Sequence, residues 1–116
     1  MPISNPIPER LARAVNVKVP ALQELGRPDA EMVFLTAAAD VEGLSATQLA
    51  LRLGVEPASS FYLIEFPTTS LKGPLLSPIR ERAQCFVGGG RTRGGAREFR
   101  AFNQTIPIDA EITIVS

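Results

Sequence analysis

The sequence predicts a compact α+β domain with four or five strands and one main amphipathic helix. Three observations carry this. Residues 45–53, SATQLALRL, place apolar side chains at 46, 49, 50 and 53, the spacing of one helical face. Residues 61–66, FYLIEF, form a near-continuous apolar run stopped by Pro67, as a buried strand does. Residues 13–19, RAVNVKV, alternate, with Val15, Val17 and Val19 on one side and Ala14, Asn16 and Lys18 on the other. Arg13 falls on the valine side by parity.

The remaining elements follow in chain order. Pro2, Pro6 and Pro8 mark residues 1–9 as an extended segment or linker remnant, and residues 10–116 are expected to form a single domain. Residues 20–26, PALQELG, read as one or two helical turns closed by Gly26. Residues 32–36, MVFLT, have strand propensity. Ser45 is placed to cap the helix that follows it, and Gly54 to end it. A proline- and serine-rich loop leads on to a glycine- and arginine-rich segment, and residues 96–102 and 111–115 read as the last strands. There is no internal repeat and no heptad.

Composition narrows the chemistry. The chain has 116 residues, 45% hydrophobic and 21% charged, which is ordinary globular usage and sufficient for one core. It has one cysteine and no histidine, so an internal disulfide is impossible and a zinc site is not expected. No apolar run approaches the ~20 residues that span a bilayer, so no membrane association is expected. The net charge is zero but unevenly placed. Residues 1–79 carry six basic and eight acidic side chains, residues 80–100 six and two, and residues 101–116 none and two. A local electropositive segment on a neutral chain suits a small anionic ligand better than a long phosphate backbone.

That segment is the most informative part of the chain. Residues 86–102, FVGGGRTRGGAREFRAF, hold five glycines and four arginines with one carboxylate, Glu98, at the entry to a strand. Glycines let backbone approach a ligand closely, and guanidinium groups bind anions. The segment is not a nucleotide P-loop, because it lacks the Gly-Lys-Ser/Thr ending, and it does not fit the dinucleotide G-x-G-x-x-G spacing. Residues 44–56, LSATQLALRLGVE, follow the rhythm of the first helix and turn of a helix-turn-helix. The apolar, proline-containing stretch after them cannot present polar side chains to base edges. The tripeptide at Asn103 is a formal glycosylation acceptor of a kind that arises often by chance.

Taken together, LARAV, VFLT, LALRLGV, FYLIEF, GGGRTRGGAREF and the IPID tail resemble the carboxy-terminal toxin domains of bacterial polymorphic toxins of the Rhs and contact-dependent inhibition class. More specifically they look like the members that resemble ADP-ribosyltransferases or NAD-cleaving enzymes, over about residues 10–110. The resemblance implies a split β-sheet clamping NAD as co-substrate, with Arg13 on the first strand, Thr36 on a following strand and Glu98 on a late strand as the catalytic set. Arg13, Arg27, Gly89, Gly90 and Arg91 are the implied cofactor-binding residues. Glu98 would stabilise the positive charge that develops on the ribose as nicotinamide leaves. The domain would act in a recipient cell's cytoplasm as part of a larger delivered polypeptide, on a macromolecular acceptor or on water, and would be blocked by a cognate immunity protein. Ala96 stands two positions before Glu98, where many of these transferases carry an acidic or amide residue, and this leaves the acceptor open.

Plainer readings stand beside these. Glu98 pairs with Arg97 or Arg100 on an exposed strand, Arg13 is a solvated edge residue, and Thr36 serves only its strand. A metal-independent ribonuclease is the alternative enzyme, with Arg91, Arg93, Arg97 and Arg100 neutralising the scissile phosphate and Glu98 as general base, although the chain has no histidine for the acid-base pair. A non-enzymatic interaction module is the third reading.

Overall fold

The computed structural model describes residues 7–18, 22–76, 92 and 94–116. Five strands form one antiparallel sheet: β1 (Arg10–Asn16), β2 (Met32–Ala37), β3 (Phe61–Pro67), β4 (Glu98–Phe102) and β5 (Glu111–Val115), in the order β4-β2-β1-β3-β5. The one α-helix described, α1 (Ala46–Leu53), is eight residues long. The domain is therefore mostly β. This corrects the α+β expectation and the split-sheet, ADP-ribosyltransferase-like architecture that came with it. The lost helical content lies in residues 22–26, which pair with the chain before β5 instead of coiling. Leu25 N–H donates to Gln104 C=O, Ile106 N–H donates to Gln23 C=O, and Glu24 bridges Thr105.

The helix forms as its sequence indicates. Ser45 Oγ accepts from Gln48 N–H while the Gln48 side chain accepts from Ser45 N–H, a reciprocal cap that satisfies two otherwise orphaned donors. Gly54 ends the helix in the left-handed conformation, φ 70°, which an L side chain adopts only at a cost. Ala46, Leu49, Ala50 and Leu53 are buried against one face of the sheet, where Ala12, Phe61 and Leu63 meet them. The opposite face, with Leu11, Leu35, Ile64, Phe66 and Phe99, is covered by connecting segments through Leu25, Leu71, Leu75 and Ile106. Each fully buried Leu, Ile or Phe in these two layers contributes about 1.5–3 kcal/mol, so both faces hold the sheet in place.

Strand β1 lies at the centre but is paired unequally. It makes seven cross-strand pairs with β3 and only two with β2, Leu11 with Ala37 and Ala12 with Thr36. Beyond Ala12 the β1–β2 ladder stops. β1 also ends earlier than the valine alternation suggests, because Asn16 Oδ1 accepts from Lys18 N–H and residues 17–18 turn away.

Candidate functional site

The gap beyond Ala12 is where Arg13 goes. Arg100 N–H and C=O both bond Leu76 on the outer side of β4, so Arg100 and Phe34 are a non-hydrogen-bonded pair and the Phe34 carbonyl turns toward β1. The β1–β2 ladder stops short of it. The Arg13 guanidinium reaches it, donating from Nη1 to Phe34 O at 3.3 Å and from Nε to Leu25 O at 3.1 Å. One planar fork thus satisfies two backbone carbonyls, one on β2 beyond the end of the ladder and one in the 22–26 segment. Arg13 is neither a solvated edge residue nor wholly given over to a ligand.

Beside Arg13 lies a cleft of about 610 Å³, whose wall includes Arg13, Asn16, Glu24, Arg27, Glu56 and the buried Phe61. Two of the arginines singled out from the sequence, Arg13 and Arg27, are therefore brought together. Glu98 and Thr36 are not among the residues that line it. They are cross-strand partners of each other, and Thr36 is also paired with Ala12, which puts all three on the helix-covered face. Arg13, by alternation with Leu11 and Val15 and by pairing with Ile64, belongs to the other face. The catalytic set implied by the resemblance does not converge on this cleft. Gly89, Gly90 and Arg91 lie outside the described residues.

Glu98 is 6% exposed. Burial raises its carboxyl from 4.5 to about 8, against an opposing pull from the positive charge of Arg13, so it is mostly protonated at pH 7. This is not the exposed carboxylate of a surface pair. Its sequence neighbour Arg97 is engaged elsewhere, with Nε 2.9 Å from Asp40 Oδ2, Nη2 3.0 Å from Oδ1, and its own backbone N–H 2.8 Å from Oδ2. Burial tends to raise the Asp40 carboxyl, but the hydrogen bonds and charge of Arg97, helped by the charge of Arg52, outweigh it and hold the group below its ordinary value. The Thr36 hydroxyl is committed as well, donating to Arg97 C=O at 2.6 Å.

The described part of the glycine-arginine segment has a structural task. Thr92 Oγ1 donates to the carbonyl of Arg52 at the end of α1, and Arg52 Nη1 returns a bond to Gly94 C=O at 2.8 Å. Gly94 lies so close to the helix that a Cβ there would stand 2.3 Å from the carbonyl oxygens of both Leu51 and Arg52.

Sequence reasoning passed over Glu24 and Asn103. Asn103 Oδ1 accepts from Gly26 N–H at 2.7 Å and Gln104 N–H at 3.1 Å, while its Nδ2 donates to Glu24 Oε2 at 3.1 Å and Arg27 C=O at 2.6 Å. The tripeptide set aside as a chance glycosylation signal holds the wall of the cleft. Among the described residues no cluster of three or more His, Cys, Asp or Glu is placed to hold a metal ion, and no helix is long and apolar enough to cross a membrane.

A small, mostly β domain with a two-arginine cleft beside its central strand is the class that fold and site define. A family model described as Novel toxin 10 (Ntox10) matches residues 1–116, and the chain belongs to this family of bacterial toxin domains. No curated protein and no solved structure matches it.

Proposed function

We propose that this toxin domain binds NAD in the cleft between β1 and residues 22–28 and cleaves its nicotinamide–ribose bond. The observation that carries the reading is the placing of Arg13 and Arg27 on facing sides of a cleft of about 610 Å³ that also offers a carboxylate, Glu24. Two guanidinium groups suit a diphosphate, which presents oxygen acceptors on both phosphorus atoms. The apolar part of the wall, with Val15, Leu22 and the exposed Val55, suits a planar base. In the reaction the C1′–N1 bond breaks and its electron pair leaves with the nicotinamide nitrogen, which becomes neutral. Positive charge develops on the ribose, and a water or a macromolecular acceptor supplies the new bond to C1′ and releases a proton. Delivery within a longer polypeptide, action in a recipient cytoplasm and restraint by a cognate immunity protein belong to the same reading.

The ribonuclease alternative draws less support. Of the four arginines it would draw on, Arg97 is engaged by Asp40 through both its side chain and its backbone, and its general base, Glu98, is buried.

Incubation of the purified domain with NAD is expected to release free nicotinamide. Arg27→Ala, which removes an exposed side chain and leaves the Asn103 bond to its carbonyl in place, is expected to raise KM about tenfold or more, the loss of one charge-assisted contact. Intact NAD together with cleaved RNA under the same conditions would move the assignment to ribonuclease. If both substrates survive, the domain acts by binding alone.

A further inference from the structure

We infer that Glu24, oriented by Asn103, is the carboxylate that acts on the bound substrate, and that Glu98 is not. The inference rests on the NAD-cleaving reading and assigns the charge-stabilising role within that same cleft.

Glu24 lines the cleft with Arg13 and Arg27. Its orientation is fixed by a chain of bonds whose direction is unambiguous. Asn103 Oδ1 accepts from two backbone N–H donors, Gly26 and Gln104, so its amide must present Nδ2 to Glu24 Oε2 and to the Arg27 carbonyl. One oxygen of Glu24 is thereby anchored, and among the described residues Oε1 receives no hydrogen bond from another side chain or backbone group. The backbone of Glu24 is held too, bridged to Thr105 and flanked by the Leu25–Gln104 and Ile106–Gln23 bonds. A carboxylate fixed at one oxygen, on a wall pinned to the sheet, is pre-organised to meet positive charge as it develops and loses little freedom in doing so. The other carboxylate of the cleft, Glu56, is exposed in the loop after α1 and has no such anchor among the described residues.

Glu98 fails on placement. It is buried beside Thr36, does not line the cleft, and is mostly neutral at pH 7. Asn103 in this account is a positioning residue, acting through Glu24 and the Arg27 main chain.

Glu24→Gln provides the test because the new carboxamide oxygen still accepts from Asn103 Nδ2, so the fold is kept and only the charge is lost. With NAD at pH 7, kcat is expected to fall about 100-fold or more. The Kd for ADP-ribose and the Tm are expected to stay close to wild type. Glu98→Gln is expected to keep kcat within about threefold, since it replaces one neutral group by another. Glu24→Asp keeps the charge but withdraws it by one methylene, and is expected to fall in between. It decides the matter should Glu24→Gln prove poorly folded. Full kcat in Glu24→Gln with loss in Glu98→Gln would return the role to Glu98 and overturn the inference alone. Absence of nicotinamide release by the wild-type domain would overturn the NAD reading and this inference together.

Discussion

The melting temperature of the domain is expected to fall as pH rises from about 5 to 8 and to level off above that, and Glu98→Gln is expected to remove most of the slope. The cause is the buried carboxyl on β4, whose value is raised from 4.5 in the unfolded chain to about 8 in the fold. Between those values the folded state holds a proton that the unfolded state has released. Stability is therefore fully present below about 4.5, declines by up to about 1.4 kcal/mol per pH unit through the window, and is lost once pH passes the folded value. The chain has no histidine, so the usual titrating side chain of this range does not mask the effect. Glu65, raised chiefly by its own burial, adds a slope of the same sign near the acidic end. Asp40, held below its ordinary value, acts in the opposite sense and only at lower pH, where losing its charge weakens the grip on Arg97. Thermal melts across pH 4 to 9 measure this directly. A flat profile in the wild type, or an equal slope in Glu98→Gln, would show that Glu98 is charged in the fold.

Gly94→Ala is expected to destabilise the domain by about 3 kcal/mol or more, the upper end of what overpacking costs. A methyl group at this position would lie 2.3 Å from two carbonyl oxygens of α1, and these belong to backbone, which cannot swing aside as a flexible side chain does. The turn carrying Gly94 would have to lift off the helix, breaking the bonds between Thr92 and the Arg52 carbonyl and between Arg52 and the Gly94 carbonyl. A control separates this from the general cost of replacing glycine. Gly43 has φ +71° with open space around it, so Gly43→Ala is expected to cost only about 1 kcal/mol of backbone strain. Urea melts of the two variants should rank them in that order. Equal costs would mean that the close approach to α1 is not maintained in solution.

Much of the fold was legible because local signals agreed with long-range pairing. Residues 45–53 carried both their helical face and their caps, and β3 and β5 were apolar or β-branched runs bounded by turn residues. The main misreading occurred where a distant partner decided the outcome. Residues 20–26 have reasonable helix formers, yet residues 22–26 pair with 103–106, nearly eighty positions away, which no local pattern reveals. The alternation continues at Val17, where the backbone does not follow it because the Asn16 side chain closes a turn with Lys18; Val19 lies outside the described residues. Helical content was accordingly overestimated.

The candidate site was half legible for the same reason. Arg13 and Arg27 stood out as cations, and the cleft unites them. Glu98, between arginines at 97 and 100, read as a surface or active carboxylate, but the β2–β4 register turns it inward beside Thr36. Glu24 was hidden inside an expected helix. Its partner Asn103 gave only a glycosylation-like tripeptide as a signal.

The claim on which this account depends is that an anionic dinucleotide lodges between Arg13 and Arg27. Amide hydrogen exchange of the domain with and without ADP-ribose addresses it most directly. Slowed exchange confined to residues 13–16 and 22–28 is the predicted result. Protection centred on β4 around Glu98, with residues 22–28 unchanged, would contradict it.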